Sequence, residues 1–133
     1  MSDDPLTQTP PAARLLGRRI VSTDRRAGVV ELEFQARPEF ANRHGGVMGG
    51  MLAAMLDSTV GCAAVATLGG QSVVTLTMHV TYLRPAAIGT IHARGRVVHR
   101  GDSIAFAEGE LRDRSGEVAA SATATLRIVR PTS

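Results

Sequence analysis

The alternation of apolar and polar residues divides the chain into a series of strands and one long helix. Residues 29–35 alternate as a half-buried strand does, with an apolar side made of Val30, Leu32 and Phe34. The nearly all-apolar segment 47–68 predicts a helix, which Gly69 and Gly70 would end. Further strands are predicted over residues 17–24, 73–84, 90–100, 103–112 and 117–129.

Three of the later strands each have a face that the sequence marks. In 73–84 the apolar face is predicted to consist of Val74, Leu76, Met78, Val80 and Tyr82. In 90–100 the polar face carries His92, Arg94 and Arg96. In 117–129 the apolar face consists of Val118, Ala120, Ala122, Ala124, Leu126 and Ile128. Faces of this kind indicate a sheet that lies against a core on one side.

The order of these elements predicts the fold class. Two strands, one helix and then four strands joined by short turns indicate an α+β domain with a mostly antiparallel sheet. A helix of roughly 30 Å that is apolar nearly all round needs cover on most sides. A curved sheet wrapped around it supplies one side, and a second copy can supply the rest. We therefore predict a disordered lead over 1–11, one domain over 12–130, and a homo-oligomer that is a dimer or a dimer of dimers, the latter a homotetramer.

Composition excludes several kinds of function. The chain has 133 residues, of which 44% are hydrophobic, as in an ordinary globular domain. All fifteen basic residues are Arg, so a Schiff-base or P-loop lysine is excluded. Aromatic residues make up 3% and Trp is missing, which leaves little to stack on bases, and no nucleic-acid partner is expected. The single cysteine, Cys62, fits a reducing, cytoplasmic location.

The helical segment also has to be weighed as a membrane span. Residues 47–68 are long enough, but Asp57 lies near their centre, where a charge is costly in a bilayer. A buried helix in a soluble protein is therefore favoured, with no membrane partner. The acidic start of the chain, with Asp3 and Asp4, does not resemble a secretory signal.

Asp57 is the first candidate for chemistry. It is the only residue from His44 to Leu83 that is fully charged at neutral pH, and its neighbours on the helix are small. An unpaired buried carboxylate is costly, so one interpretation is that Asp57 bonds a neighbouring strand or faces solvent. The other is a desolvated carboxylate that acts as a general base or nucleophile.

A glycine-rich segment leads into the same helix. Residues 42–50 read Asn-Arg-His-Gly-Gly-Val-Met-Gly-Gly. A helix N-terminus presents free N–H groups and the positive end of the helix dipole, and glycine lets a ligand approach them. An oxyanion site or a phosphate cradle is one interpretation, and a flexible loop with small packing residues is the other. Donors and a base on one helix would suit attack of water on an acyl carbonyl.

The combined pattern resembles a known family. The element order resembles the hotdog fold, in which an antiparallel sheet wraps around one long central helix. The spacing resembles the PaaI-like acyl-CoA thioesterases, whose helix motif is Asn-x-x-Gly-x-x-His-Gly-Gly with six residues before an Asp. Here the motif positions are Asn42, Gly45, Met48, Gly49, Gly50 and Asp57, and the resemblance covers roughly residues 15–130.

The resemblance implies roles for individual residues. Asp57 would be the base or nucleophile that delivers water to the thioester, and the N–H of Gly49 would polarise the carbonyl. Asn42 would help hold the thioester, and Thr75 matches a Ser/Thr position that orients the water. In this family the active site lies at a dimer interface, so these groups can come from two chains. Coenzyme A is then part of the substrate, and no separate cofactor is expected.

Several further residues are weighed for substrate binding. Met48, which stands where the family motif has His, and Gly50 are placed in the substrate-binding group. Arg84 and Arg100 are candidates for the phosphates of coenzyme A, although such arginines are more often a solvated face. His79, His92 and His99 lack the spacing of metal ligands, so no metal site is predicted, and Cys62 is interpreted as a small core residue.

Three functions follow from this pattern. The leading one is hydrolysis of a small, medium or aromatic acyl-CoA by water attack assisted by Asp57. Because methionine cannot donate a hydrogen bond, Met48 favours the alternative of a non-catalytic hotdog module that binds acyl-CoA. A hydratase or dehydratase would need an acid–base pair such as His with Asp or Glu, and the helix shows none.

Overall fold

The computed structural model describes residues 5–130 as a long helix against one six-stranded sheet. The helices are α1 (Pro11–Leu15) and α2 (Gly49–Ala66), with short 3-10 helices at Pro5–Thr7 and Pro38–Phe40. The strands are β1 (Arg19–Asp24), β2 (Val29–Ala36), β3 (Ser72–Tyr82), β4 (Gly89–Arg100), β5 (Ile104–Arg112) and β6 (Val118–Val129).

The sheet wraps around α2. Its strand order is β1-β2-β4-β5-β6-β3, and every neighbouring pair is antiparallel. Helix α2 contacts each strand from β2 to β6, and the sheet residues that face it are buried. The largest of the fully buried side chains are Phe34, Leu32, Met55, Leu56, Ile91, Leu111 and Leu126. The predicted α+β hotdog arrangement is confirmed.

Helix α2 begins two residues later than the sequence pattern predicted. Val47 forms a β-bridge with Ala41, and its N–H donates to the carbonyl of Ala86. These extended contacts hold Val47 outside the helix, and Met48 is also extended. The first helical residue is therefore Gly49, which places the glycines of the motif at the N-terminus of the helix.

Two strand glycines let the helix lie close to the sheet. A Cβ added at Gly95 would lie 2.8 Å from the backbone oxygen of Thr59 and 3.2 Å from the Cβ of Ala63. At Gly109 a Cβ would lie 3.4 Å from the side chain of Val60. The middle of α2 therefore rests directly on the backbone of β4, and this contact fixes its depth in the sheet.

The predicted apolar face of β3 is wrong in its first half. The register shifts between Thr75 and Thr77, so a bulge at Leu76 interrupts the alternation. Met78 and Val80 pack against the core as predicted, but Val74 and Leu76 are exposed and Val73 packs inward instead. Beyond the bulge, Tyr82 is also half exposed.

The disorder predicted for the lead, residues 1–11, is not what the structure shows for 5–11. Pro5–Thr7 forms a turn of 3-10 helix, and Leu6 is buried in the core against α2. Helix α1 follows, and its residue Ala13 is also buried. A single apolar residue next to a proline, as Leu6 is next to Pro5, gives no periodic pattern that would predict this burial. Residues 1–4 lie outside the described part of the chain.

Helix α2 is long and apolar enough to cross a membrane by length and composition alone. More than half of it is buried within the fold, as is usual for the core helix of a soluble domain.

The close helix–sheet contact predicts a large effect of a small substitution. Gly95→Ala should lower the free energy of unfolding by about 1–3 kcal/mol, because the new methyl group meets backbone rather than a flexible side chain. Urea denaturation measures the change. Gly101→Ala is the matched control, since its Cβ would lie 3.6 Å from the nearest atom in an exposed turn. Equal losses in both variants would contradict this account of the packing.

Candidate active site

Asp57 lies in the middle of α2 and is held by a strand. Its Oδ1 accepts a hydrogen bond of 2.7 Å from the hydroxyl of Thr75 on β3. The carboxylate is exposed in the single chain, so its second oxygen is open to water. The structure thus brings together two of the residues that the sequence placed in the site, and Thr75 orients the carboxylate.

The β3 bulge lets residues on both of its sides face the helix. Thr75 is the last residue before the register shift, and a bulge of this kind turns a side chain away from the regular alternation. Val73 and Thr75 both face α2 on this side of the bulge, and the exposed Val74 and Leu76 face away. Without the bulge, the residues beyond Thr75 that now pack inward would face away from α2.

Gly49 begins the helix with a free donor. Its N–H makes no hydrogen bond within residues 5–130, and the preceding Met48 caps the helix with no side-chain bond. The hydroxyl of Tyr82 donates to the carbonyl oxygen of Gly49 at 2.7 Å. A Cβ at Gly49 would lie 3.2 Å from the Tyr82 ring, so the glycine lets this ring pack on the helix start.

Asn42 shapes the loop that precedes the helix. Its Oδ1 accepts from the N–H of His44 at 2.9 Å, and its backbone N–H donates to the carbonyl of Gly46 at 2.8 Å. The side-chain oxygen is thus used within the loop, which leaves the amide NH₂ as the group that can meet a ligand. Gly45, with a φ of +87°, supplies the left-handed conformation that this turn needs.

The site residues near the helix start line one cavity. This cavity of about 520 Å³, here called the loop cavity, is bounded by Asn42, His44, Gly49, Tyr82, Arg84 and Pro85, among others. Met48 and Gly50 do not line it: Met48 is half exposed, and its methyl group lies near Gly50 instead. His44, four residues before the motif position of the missing histidine, does line it.

Asp57 lines a different cavity. This second space of about 390 Å³, here called the N-terminal cavity, lies between α2 and the residues from Pro5 to Arg18. Gly49 and Asp57 are eight residues apart, which is about 12 Å along a helix axis. Because reacting groups must approach within about 3–3.5 Å, this separation favours a site whose donor and base come from two chains, as the resemblance implies. That arrangement stays a prediction.

Arg84 is occupied by carboxylates. Its guanidinium lies 3.2 Å from the buried Asp113 and 3.3 Å from Glu117, and it also donates to the hydroxyl of Ser115 at 3.0 Å. Two anionic partners leave it poorly suited to a phosphate. The geometry favours a bracing role for Arg84 in the wall of the loop cavity.

Arg100 lies at the opposite end of β4 from the loop that carries Arg84. It is the last residue of that strand and is exposed, and it lines neither cavity. A strand of this length spans roughly 35 Å, so Arg84 and Arg100 of one chain cannot contact the same phosphate. Arg94 and Arg96, on the outer face of the sheet as predicted, are paired with Glu31 and Glu108.

Asp113 is a structural residue that the sequence did not single out. Its Oδ2 accepts from the N–H of Ala87 at 3.0 Å, and its Oδ1 accepts from the hydroxyl of Ser115 at 2.6 Å. Burial opposes ionisation, but the hydrogen bonds from Ser115, Ala87 and Arg84 outweigh it and hold the pKa of Asp113 below its usual range. An Asp-x-Ser pattern after a strand indicates such a turn. It does not indicate that the turn also binds the loop before β4, as Asp113 does here through Ala87.

Comparison with known proteins identifies the family. The chain matches the model of the thioesterase superfamily over residues 44–120. The chain belongs to the thioesterase superfamily. The solved structure of a phenylacetic acid degradation-related protein from Ralstonia eutropha is 38% identical, with a TM-score of 0.87 over 91% of this chain and 92% of that one. Mouse acyl-coenzyme A thioesterase 13 is 30% identical over 84 residues, which are 62% of this chain and 60% of that protein.

The resemblance to PaaI-like hotdog thioesterases is thereby confirmed, and the protein is a thioester hydrolase. The PaaI protein of E. coli has the same fold, with a TM-score of 0.78 at 23% identity over 87% of this chain and 86% of that one. Within residues 5–130 of this thioesterase, no three His, Cys, Asp or Glu side chains cluster as metal ligands would.

The buried Asp113 predicts a pH-dependent stability. Its pKa is below the unfolded value of about 3.9, so the unfolded thioesterase binds more protons in acid. The stabilisation is present at neutral pH and is lost as the pH falls below about 5. Asp113→Ala should lower the free energy of unfolding at pH 7 by about 1–3 kcal/mol and flatten this acid dependence.

Urea denaturation at several pH values checks both parts. The exposed Asp102 is the matched control, since no hydrogen bond or ion pair of its side chain is present within residues 5–130. An acid dependence that is the same in the wild type and in Asp113→Ala would show that other groups cause it.

Proposed function

We propose that this thioesterase hydrolyses acyl-CoA thioesters by water attack that Asp57 assists. The observation that carries the proposal is the hydrogen bond of 2.7 Å from Thr75 to Asp57, which fixes one carboxylate oxygen and leaves the other for water. The name of the mouse relative, an acyl-coenzyme A thioesterase, supports acyl-CoA as the substrate class. The proposed reaction needs no separate cofactor.

The chemistry uses the carboxylate and a backbone donor. Asp57 accepts a proton from a water molecule as the water oxygen bonds to the thioester carbonyl carbon. The carbonyl oxygen becomes an oxyanion, which the N–H of Gly49 and the positive end of the α2 dipole stabilise. As the oxyanion returns to a carbonyl, the C–S bond breaks, and the leaving thiolate of coenzyme A takes the proton that Asp57 had accepted. The products are a carboxylic acid and free coenzyme A.

Two chains are needed to bring these groups together. Because Gly49 and Asp57 lie about 12 Å apart along one helix, we propose that each site combines Asp57 of one chain with Gly49 of a second copy. A two-fold axis would form two such sites at once, since each contact is then repeated in reverse.

The exposed edge of the sheet supports this assembly. Strand β3 has eleven residues and forms one edge of the sheet. Its residue Thr75 bonds to Asp57 on α2. Its side chains Val74, Leu76 and Tyr82 are each about half exposed, at 50%, 53% and 52%. The other edge strand, β1, has six residues and carries Arg19 and Asp24 at its ends. A long apolar edge is the one that another chain covers, so β3 is the proposed contact.

Loss of the base should remove turnover without removing the fold. Asp57→Asn keeps the shape and the bond from Thr75 but accepts no proton, so kcat should fall by roughly 10²–10⁴-fold with little change in acyl-CoA affinity. Steady-state kinetics with several acyl-CoA substrates, together with the melting temperature, measure both effects. Turnover near the wild-type rate in folded Asp57→Asn would overturn the mechanism.

A mixed dimer tests whether the site is shared between chains. The second variant is Gly49→Pro, which removes the N–H at the first helical position, where proline is tolerated. Each variant alone should have little activity. In a dimer that combines one Asp57→Asn chain with one Gly49→Pro chain, one site keeps an intact Asp57 and an intact Gly49. Co-expression with two different tags and purification of the mixed species should therefore restore about half of the wild-type kcat per dimer.

The same mixture distinguishes the alternatives. If each site lay within one chain, both sites of the mixed dimer would carry a defect and the activity would stay at the level of the single variants. A monomer of 14.0 kDa by light scattering at micromolar concentration would exclude the shared site directly.

A further inference from the structure

Helix α2 begins without the side chains that usually fix a helix start. Its cap residue, Met48, makes no side-chain hydrogen bond to the first turn, and that turn contains no acidic residue. Its first two residues are Gly49 and Gly50, and glycine loses more conformational freedom on folding than any other residue. The direction of the N–H groups at this end of the helix therefore depends on contacts from other segments.

One side chain of β3 supplies such a contact. The hydroxyl of Tyr82 donates to the carbonyl oxygen of Gly49 at 2.7 Å. The ring closes over the α-carbon as well, since a Cβ at Gly49 would lie 3.2 Å from Cζ and 3.3 Å from Cε1 of Tyr82. No other side chain within residues 5–130 forms a hydrogen bond with the backbone of residues 49–52. Tyr82, the only tyrosine of the chain, thus holds Gly49 at two points.

The end of β3 holds Tyr82 in turn. Tyr82 pairs with Ala120 of β6 in the register of the sheet. The N–H groups of the next two residues, Leu83 and Arg84, both donate to the carbonyl of Ala119, at 2.8 Å and 3.2 Å. The sheet therefore fixes the backbone of Tyr82 and, through its side chain, the start of α2.

The N–H of Gly49 lies between two fixed groups. Before it in the chain, the N–H of Met48 donates to the carbonyl of Phe40 at 2.8 Å. After it, the carbonyl of Gly49 accepts from Tyr82. The N–H between them makes no hydrogen bond within residues 5–130, so it is held in direction and stays open to a ligand. Donors that are oriented before the reaction stabilise an oxyanion best, because no reorganisation is needed as the charge develops.

We propose that Tyr82 is a positioning residue, which holds Gly49 so that its N–H points at the carbonyl oxygen of the substrate. This inference rests on the proposed function, because it needs that N–H to be the oxyanion donor. Tyr82 and Gly49 belong to the same chain, so the donor is oriented whether or not a second copy supplies the base. Tyr82 also lines the loop cavity, and a role in holding the substrate would instead change the affinity.

Removal of the hydroxyl should lower turnover and leave binding nearly unchanged. Tyr82→Phe keeps the ring but not the bond to Gly49, so kcat should fall by roughly 3–30-fold while KM stays within about twofold. The matched control is Thr81→Val, which removes the hydroxyl of the adjacent exposed residue, whose side chain makes no hydrogen bond within residues 5–130. It should keep the wild-type kcat. Steady-state kinetics with octanoyl-CoA measure both constants, and the melting temperature shows that the variants are folded.

An infrared measurement reports on the donor itself. The probe is octanoyl-CoA with CH₂ in place of the thioester sulfur and an isotope label at the carbonyl, which binds without being hydrolysed. Its carbonyl stretch should lie at a lower frequency in the wild type than in Gly49→Pro, because a hydrogen bond weakens the C=O bond and proline has no N–H. In Tyr82→Phe the frequency should move towards the value in Gly49→Pro, with the affinity for the probe unchanged by calorimetry.

The possible results separate the positioning role from the mechanism. A wild-type frequency in Tyr82→Phe, a change in KM alone, or a lower melting temperature with kcat unchanged would overturn the proposal and leave Gly49 as the donor. Equal frequencies in the wild type and in Gly49→Pro would overturn it together with the donor role of Gly49. A shifted frequency in Tyr82→Phe supports the positioning role even if folded Asp57→Asn keeps its turnover, because the probe needs no base.

Discussion

The burial of α2 in the curved sheet is the constraint on which the rest of the structure depends. The helix is covered by five strands, and its middle rests on Gly95 with no side chain between the two backbones. At native packing density even one methyl group would have to displace the helix or the strand. The depth and direction of α2 are therefore set, and every group that it carries is placed with it.

This rigid placement produces the division of the site. Asp57 reaches Thr75 and the N-terminal cavity, while Gly49 reaches Tyr82 and the loop cavity two turns earlier. Because a helix does not bend to bring such positions together, the two groups need a second chain if they are to act on one carbonyl. The exposed apolar side chains of β3, next to Thr75, give that second chain a surface to cover. In the proposed two-chain site, catalysis and association are both linked to this one edge strand.

The charged side chains around the site mainly hold separate segments of the chain together. Asp113 and Arg84 tie the turn after β5 to the loop before β4, and so they fix one wall of the loop cavity. Arg18 ties the N-terminal residues to α2 in a similar way. Arg84, which the sequence analysis weighed as a phosphate ligand, is thus used by the chain itself. Its multiple N–H donors suit it to join several partners at once.

Local sequence patterns were enough to predict the main elements and the fold class, and the family resemblance placed Asp57 and Thr75 in one site. Strand alternation and the long apolar run are local signals, since they follow from side-chain direction along strands and helices. The motif spacing from Asn42 to Asp57 is local as well. Three further features came from the folded chain: Gly49 and Asp57 face different cavities, a bulge at Leu76 leaves Val74 outward, and Arg84 is neutralised by Asp113. These depend on contacts between residues far apart in the chain, and no periodicity within one segment contains them.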